Sequence, residues 1–78
     1  MEKKQNVELL LAPTDFKELM RVYNSDLIEN PIVLYHSETH EFSAHLDIKI
    51  QNVLLRMRSY NITEDDYKTA LFVGFKKI

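Results

Sequence analysis

The sequence predicts a small α+β domain, in which a three-stranded sheet with a β-hairpin is packed by two to three helices. Three patterns predict this class. Apolar and polar side chains alternate over residues 41–51, apolar residues recur at helical spacing over residues 16–27, and a second helical stripe begins at Tyr67. The predicted order is strand, helix, strand, strand, helix, helix.

The N-terminal half opens with an apolar run over residues 7–12, which ends at Pro13. The short run and the proline favour a strand that is mostly buried on both faces. Thr14 and Asp15 provide the chemistry of a helix start, and Glu18 stands at capping-box spacing from Asp15. The apolar stripe of this first helix consists of Phe16, Leu19, Met20, Tyr23 and Leu27.

The predicted hairpin follows the first helix. Asn24 is expected to end that helix, because asparagine tolerates the left-handed conformation, and residues 29–31 form a turn. Residues 32–36 are β-branched and aromatic, which predicts a strand. The four polar residues 37–40 then form a hairpin loop to the alternating strand over residues 41–51.

Two interpretations exist for residues 52–60. Residues 57–61 repeat the end chemistry of residues 20–24, with a basic residue near the end and an asparagine at the C-cap position, which favours a helix. A fourth strand over residues 53–59 is the alternative, because this segment also alternates. The prediction adopted is the helix.

The last helix is predicted to start after Ile62, because residues 64–66 are acidic and Tyr67 stands at the staple position. Its stripe consists of Tyr67, Ala70, Leu71, Gly74, Phe75 and Ile78. Residues 76–77 are lysines in the predicted last turn, where the helix dipole favours cations. This interpretation places Gly74 inside the helix, at a cost of about 1 kcal/mol.

Length and composition limit the possible functions. The 78 residues predict one domain, with residues 1–5 expected to be flexible, and 45% hydrophobic residues indicate a folded globule. A core of this size supplies little stability, so a partner subunit or ligand is a natural supplement. The net charge of −2 lacks the basic footprint of a nucleic-acid-binding domain.

Several residue types are scarce. The chain has one glycine, Gly74, and no cysteine or tryptophan. Phosphate-binding loops need glycine, and zinc ribbons and redox pairs need cysteine, so we expect neither an enzyme nor a cofactor. The lack of cysteine fits a reducing compartment, and the run over residues 7–12 is too short to span a membrane. We therefore expect a cytoplasmic protein without membrane partners.

A weak metal-site hypothesis comes from His36, His40 and His45, which lie close together among carboxylates. Imidazole and carboxylate groups bind zinc or nickel, but the spacing matches no compact metal motif, and the favoured interpretation is a polar strand face whose histidines are exposed. A catalytic arrangement of Ser37 or Ser43 with His36 or His45 and Glu41 can also be drawn, although a hairpin surface offers little burial to tune a pKa.

A role in nucleic-acid regulation is a second alternative. It would use the last two predicted helices and a small basic patch formed by Arg56, Arg58, Lys76 and Lys77. The final helix would present the acidic residues 64–66 to phosphates, where repulsion is strong. Nucleic acid is therefore not the expected partner.

The favoured hypothesis comes from the end of the last helix, where Phe72 and Val73 lie away from the face of Leu71 and Phe75. A helix that is apolar almost all round must be buried on two sides. The predicted protein interface consists of Leu71, Phe72, Val73, Phe75 and Ile78. Alternatively, Phe72 or Val73 packs under the sheet edge, or the chain from Ala70 onward forms a final strand.

The predicted function is accordingly a non-catalytic protein–protein interaction module. We expect a small acidic accessory, adaptor or inhibitor-type protein, of the kind that phages and mobile elements encode. It would dock on a larger partner, or self-associate as a homodimer, through the C-terminal helix.

Overall fold

The computed structural model describes residues 5–24 and 26–78. Within them the elements are β1 (Gln5–Leu10), α1 (Pro13–Arg21), β2 (Ile28–His36), β3 (Glu41–Ile50), β4 (Val53–Ile62), α2 (Glu64–Val73) and β5 (Lys76–Lys77). Of the segment expected to be flexible, residues 1–4 lie outside the described residues and Gln5 begins β1.

The described strands form one five-stranded mixed sheet in the order β1-β4-β3-β2-β5. β3 runs antiparallel to β4 and to β2, whereas β1 is parallel to β4 and β5 is parallel to β2. β1, β4, β2 and β5 therefore all run in the same direction. Consecutive strands that run in the same direction need a crossover between them. α1 provides the crossover from β1 to β2, and α2 provides the crossover from β4 to β5.

The prediction of a three-stranded sheet is wrong, although a small α+β domain fits the structure. Residues 53–62 form strand β4 instead of the predicted helix, and β4 pairs with both β1 and β3. The alternation over this segment matches the sheet, since Met57 lies opposite Leu46 and Ser59 opposite Ala44 on one face. Pairing with two neighbours therefore overrides the local helix-end chemistry.

The last helix is shorter than predicted, because it ends at Val73 and the chain continues as β5. Gly74 has a φ of 124°, a conformation that strongly favours glycine. The N–H of Gly74 donates to the carbonyl oxygen of Leu71 at 3.3 Å, and the N–H of Phe75 donates to that of Ala70 at 2.9 Å. This is a Schellman ending, so Gly74 terminates α2 instead of lying inside it.

The predicted hairpin is confirmed by the antiparallel pairing of β2 with β3, in which Val33 lies opposite Ala44. Residues 37–40 form its turn. β2 starts earlier than predicted, and the segment predicted as a turn at residues 29–31 is an irregularity within the strand. Pro31 is compatible with this position because β5 pairs with β2 only from Ile32 onward.

α1 also differs from its predicted bounds. It begins at Pro13, where a missing N–H costs nothing, and the preceding Ala12 makes no side-chain cap. It ends at Arg21 rather than at Asn24, whose side-chain oxygen instead accepts a hydrogen bond from the N–H of Asp26 at 2.9 Å. The predicted stripe is therefore buried only over its first part.

Both helices pack on the same face of the sheet, which we call the helix side. Buried residues of both helices, of β2, β3 and β4, and of the link between α2 and β5 form one cluster: Phe16, Met20, Ile28, Val33, Ala44, Leu46, Ile62, Tyr67, Ala70 and Phe75. The rings of Phe16 and Phe75 meet edge to face with 5.8 Å between centroids. The core therefore closes between α1 and the end of α2.

The other face of the sheet, which we call the open face, carries the alternate side chains of β3 and β4. These are Ser43, His45, Asp47 and Lys49 of β3, and Leu54, Arg56, Arg58 and Tyr60 of β4. In the described part of the chain, the contacts of both helices lie on the helix side. The open face is consequently polar at most of its positions.

Gly74→Ala is expected to lower the free energy of unfolding by about 1–2 kcal/mol, because alanine is strained at this backbone conformation. An added Cβ would meet only the hydroxyl oxygen of Tyr23, at 3.7 Å, so the cost comes from the backbone. Urea denaturation measures the change. Thr69→Ala, at an exposed position of α2, is the control and is expected to lose no stability. Equal stability of the two variants would contradict this account.

Candidate functional site

β1 is one edge of the sheet and pairs with the first half of β4. No strand of residues 5–24 or 26–78 pairs with its outer side. The N–H of Leu11 continues the ladder by donating to the carbonyl oxygen of Arg58 at 2.8 Å. Because successive residues direct their backbone groups to opposite sides of a strand, those of Glu8 and Leu10 face outward. The edge thus offers backbone donors and acceptors to a further strand.

β1 also exposes apolar side chains on both faces of the sheet. Val7 and Leu9, on the helix side, are 38% and 43% exposed, and Leu10, on the open face, is 78% exposed. The carboxylate of Glu8 lies 3.6 Å from the guanidinium of Arg58. The one charged side chain of β1 is therefore paired with β4, and the three apolar side chains of the strand remain exposed.

The opposite edge of the sheet is built differently. β5 has only two residues, Lys76 and Lys77, and both are exposed. A short edge strand that carries lysine is a common device against pairing with another chain. β1 has six residues and contains neither lysine nor proline. The two edges therefore differ in their capacity to accept a strand.

The prediction that the first strand is mostly buried on both faces is wrong for the described chain, since Leu9 and Leu10 are exposed. Its apolar pattern is typical of a strand that is covered on both faces, yet both helices pack on one face of the sheet and β4 is the single described neighbour of β1. The sequence feature that points to this surface is the apolar run on a short strand. The edge position could not be predicted without the topology.

The five residues of the predicted C-terminal interface do not lie on one surface. Phe72 is 91% exposed on the outer side of α2, and Leu71 and Ile78 are exposed as well. Val73 is half-buried and packs against the core. Ile78 follows β5 instead of belonging to the helix.

Phe75, the fifth predicted interface residue, lies in the core and is 4% exposed. Its ring contacts those of Phe16 and Tyr23, with centroid separations of 5.8 and 5.6 Å. The structure therefore leaves Phe72 as the main apolar side chain that α2 presents to a partner.

The three histidines have separate partners. The Nε2 of His36 lies 2.9 Å from the hydroxyl oxygen of Ser43, and the Nδ1 of His40 lies 2.9 Å from that of Tyr35. The described residues contain no group of three or more histidine, cysteine, aspartate or glutamate side chains that could hold a metal ion. Ser43 does meet His36, but it is almost fully buried, which limits access to its hydroxyl.

His45 lies on the open face, and its ring meets that of Tyr60 nearly edge to face at 6.1 Å. Burial lowers the pKa of His45, and the positive charges of Arg58 and His36 lower it further. The carboxylate of Asp47 acts in the opposite direction. The neutral imidazole is therefore favoured in the folded protein.

The basic residues proposed for nucleic-acid binding do not form one patch. Arg56 and Arg58 lie on the open face of β4, with Asp47 opposite Arg56 and Glu8 paired with Arg58. The lysines of β5 lie at the far edge of the sheet and alternate between its two faces. Acidic neighbours thus offset the arginines, and the lysines are remote from them.

Comparisons with known proteins give no match. No protein-family model matches the chain. Curated proteins and solved structures give no match either. Over the described residues, the helices are too short or too polar to cross a membrane. A functional proposal therefore depends on the surfaces described above.

Phe72→Glu is expected to change the free energy of unfolding by less than about 0.5 kcal/mol, because the side chain is almost fully exposed. Phe75→Ala, three positions away, is the contrasting variant and is expected to cost about 3–5 kcal/mol through the cavity it leaves in the core. Urea denaturation of both variants measures the difference. A large loss for Phe72→Glu would show that this residue is part of the core.

Stability is expected to fall as the pH decreases from about 7.5 to about 5. The pKa of His45 is below its ordinary value of about 6.5 in the folded protein, so between the two values the unfolded chain binds more protons. The contribution of neutral His45 to stability is complete above the ordinary pKa of about 6.5. It is lost as the pH falls through the lowered pKa of the folded protein. Urea denaturation across this range should show a reduced slope of stability against pH for His45→Gln and the wild-type slope for Thr69→Ala, a change at an exposed position that does not titrate. An unchanged slope in His45→Gln would contradict this assignment.

Proposed function

We propose that this protein is a non-catalytic protein-binding module that accepts an extended segment of its partner at the β1 edge. The observation that carries the proposal is the contrast between the two edges of the sheet: β1 is longer, exposes three apolar side chains and contains neither lysine nor proline, whereas β5 is short and lysine-bearing. Strand addition at an open edge is a recurrent mode of recognition, in which backbone hydrogen bonds provide affinity and alternate side chains provide specificity.

The exposed side chains of β1 add a hydrophobic contribution to this binding. A strand beside β1 would shield Val7 and Leu9 on the helix side and Leu10 on the open face. Complete burial of such side chains is worth about 1.5–3 kcal/mol each, and these are partly covered already, so we expect about 1 kcal/mol from each. Backbone pairing and apolar burial therefore act at the same edge.

Phe72 is a second possible contact for a protein partner, because it is the most exposed large apolar side chain described. A single exposed apolar residue is common on protein surfaces, however, and needs no partner. β1 combines three such residues with outward-facing backbone groups. The primary binding surface is therefore assigned to β1, and the proposed accessory, adaptor or inhibitor role would act through this surface.

Site-specific photo-crosslinking tests this proposal. A benzophenone amino acid in place of Leu10, introduced in the native host, is expected to give covalent protein adducts on illumination, because Leu10 lies at the open edge. The same probe in place of Lys68, an exposed residue of α2, is the control and is expected to give few. Gel electrophoresis and mass spectrometry detect the adducts. Equal yields at the two positions, or adducts only from a probe at Phe72, would refute the β1 assignment.

A further inference from the structure

We propose that the strand that β1 accepts is β1 of a second copy of this chain. The two strands pair antiparallel about a twofold axis perpendicular to the sheet, so that two sheets join into one. This inference rests on the proposed function, in which the β1 edge binds a strand, and it adds the identity of the partner. Three observations support it: the charge pattern of β1, the direction of its backbone groups and the protection of the opposite edge.

The charge and apolar pattern of β1 selects one register. With the twofold axis beside Glu8, two carboxylates would lie directly opposite each other, which is destabilising. With the axis beside Val7, Leu10 would pair with a position that precedes β1. With the axis beside Leu9, that residue meets its own equivalent and Glu8 lies opposite Leu10 of the second copy. The last register avoids the like-charge pair and brings Leu9 and Leu10, the two most exposed apolar residues of β1, into the paired segment.

The backbone directions agree with this register. The N–H and C=O groups of Glu8 and Leu10 face outward, because Leu11 directs its N–H toward Arg58 of β4. In the register centred on Leu9, these outward groups lie opposite each other and form the hydrogen-bonded pairs. The two Leu9 residues then form a non-hydrogen-bonded pair, whose Cα atoms lie about 4.5 Å apart.

The asymmetry between the edges makes the assembly finite. If β1 paired with β5 of another copy, each copy would add a further open edge and a fibre would grow. The short β5, with Lys76 and Lys77, opposes such pairing. Pairing of β1 with itself uses the open edge of both copies and leaves only the lysine-bearing edges outside. The expected product is a closed dimer.

The size of the domain supplies a reason for self-association. A 78-residue chain buries a smaller share of its surface than a larger domain does, and a partner subunit adds buried area. A pair of six-residue strands is nevertheless small beside a standard protein interface. The dimer is therefore expected to dissociate on dilution.

Solution mass across a concentration series is the first test. The wild-type mass is expected to rise from 9.3 kDa toward twice that value as concentration increases. Leu9→Lys, which would place two ammonium groups at the axis, is expected to stay monomeric. Phe72→Lys makes the same change at an exposed position of α2 and is expected to dimerise as the wild type does. Circular dichroism verifies that both variants are folded. A wild type that is monomeric throughout, or a dimeric Leu9→Lys, overturns the proposal.

Disulfide trapping tests the register, and the absence of native cysteine makes each single-cysteine variant unambiguous. Leu9→Cys places two thiols at the axis, within reach of a disulfide after a small adjustment, so mild oxidation is expected to give a covalent dimer. Val7→Cys and Phe72→Cys are the controls and are expected to remain mostly monomeric. Preferential cross-linking of Val7→Cys overturns the register centred on Leu9, and equal cross-linking of all three overturns the twofold pairing.

These outcomes separate the inference from the proposed function. If the wild type is monomeric at every concentration and the probe at Leu10 still cross-links to a different protein, the second-copy inference fails and the β1 binding function stands. If the probe at Leu10 gives no more adduct than the probe at Lys68, both fail. Adducts of twice the chain mass, together with concentration-dependent dimerisation, support both.

Discussion

The pairing of β4 with β1 on one side and β3 on the other is the constraint on which the rest of the fold depends. It separates β1 from β2 by two strands, so α1 must cross the sheet, and α2 must make the equivalent crossing from β4 to β5. Both crossovers run from the β1 side of the sheet toward the β5 side. Because crossovers between parallel strands are right-handed, two crossovers in the same direction place their helices on the same face. The open face and the β1 edge are consequences of this topology.

The sequence predicts the local elements whose signals lie within one segment. The alternation over residues 41–51 predicts β3, and the start of α2 follows from Thr63, whose hydroxyl oxygen accepts a hydrogen bond from the N–H of Asp66 at 3.0 Å. β4 could not be assigned in this way, because residues 57–61 suit a helix end as well as a strand. Its strand partners are remote in sequence, and only their pairing decides between the two.

The candidate surface shows the same limit. The apolar spacing continues from Tyr67 past Gly74 without interruption, so a helical reading places Phe72 and Phe75 on one continuous element. The backbone turns at Gly74, which sends Phe75 into the core and leaves Phe72 in solvent. Likewise, the apolar residues of β1 predict a buried strand, but they are exposed because β1 lies at an edge, and an edge position depends on which strands lie beside it.

The parallel register of β1 has a consequence for how the chain acquires its structure. Gln5 pairs with Val53, so the first strand to be synthesised waits for one of the last to emerge, whereas β2, β3 and β4 join through short turns. Closing the longer loop costs more entropy and slows that step. We therefore expect β1 to dock last on the nascent sheet, and its apolar run to spend the interval accessible to chaperones and neighbouring chains. The separation of the two strands along the chain is therefore expected to affect the yield of native protein as well as its architecture.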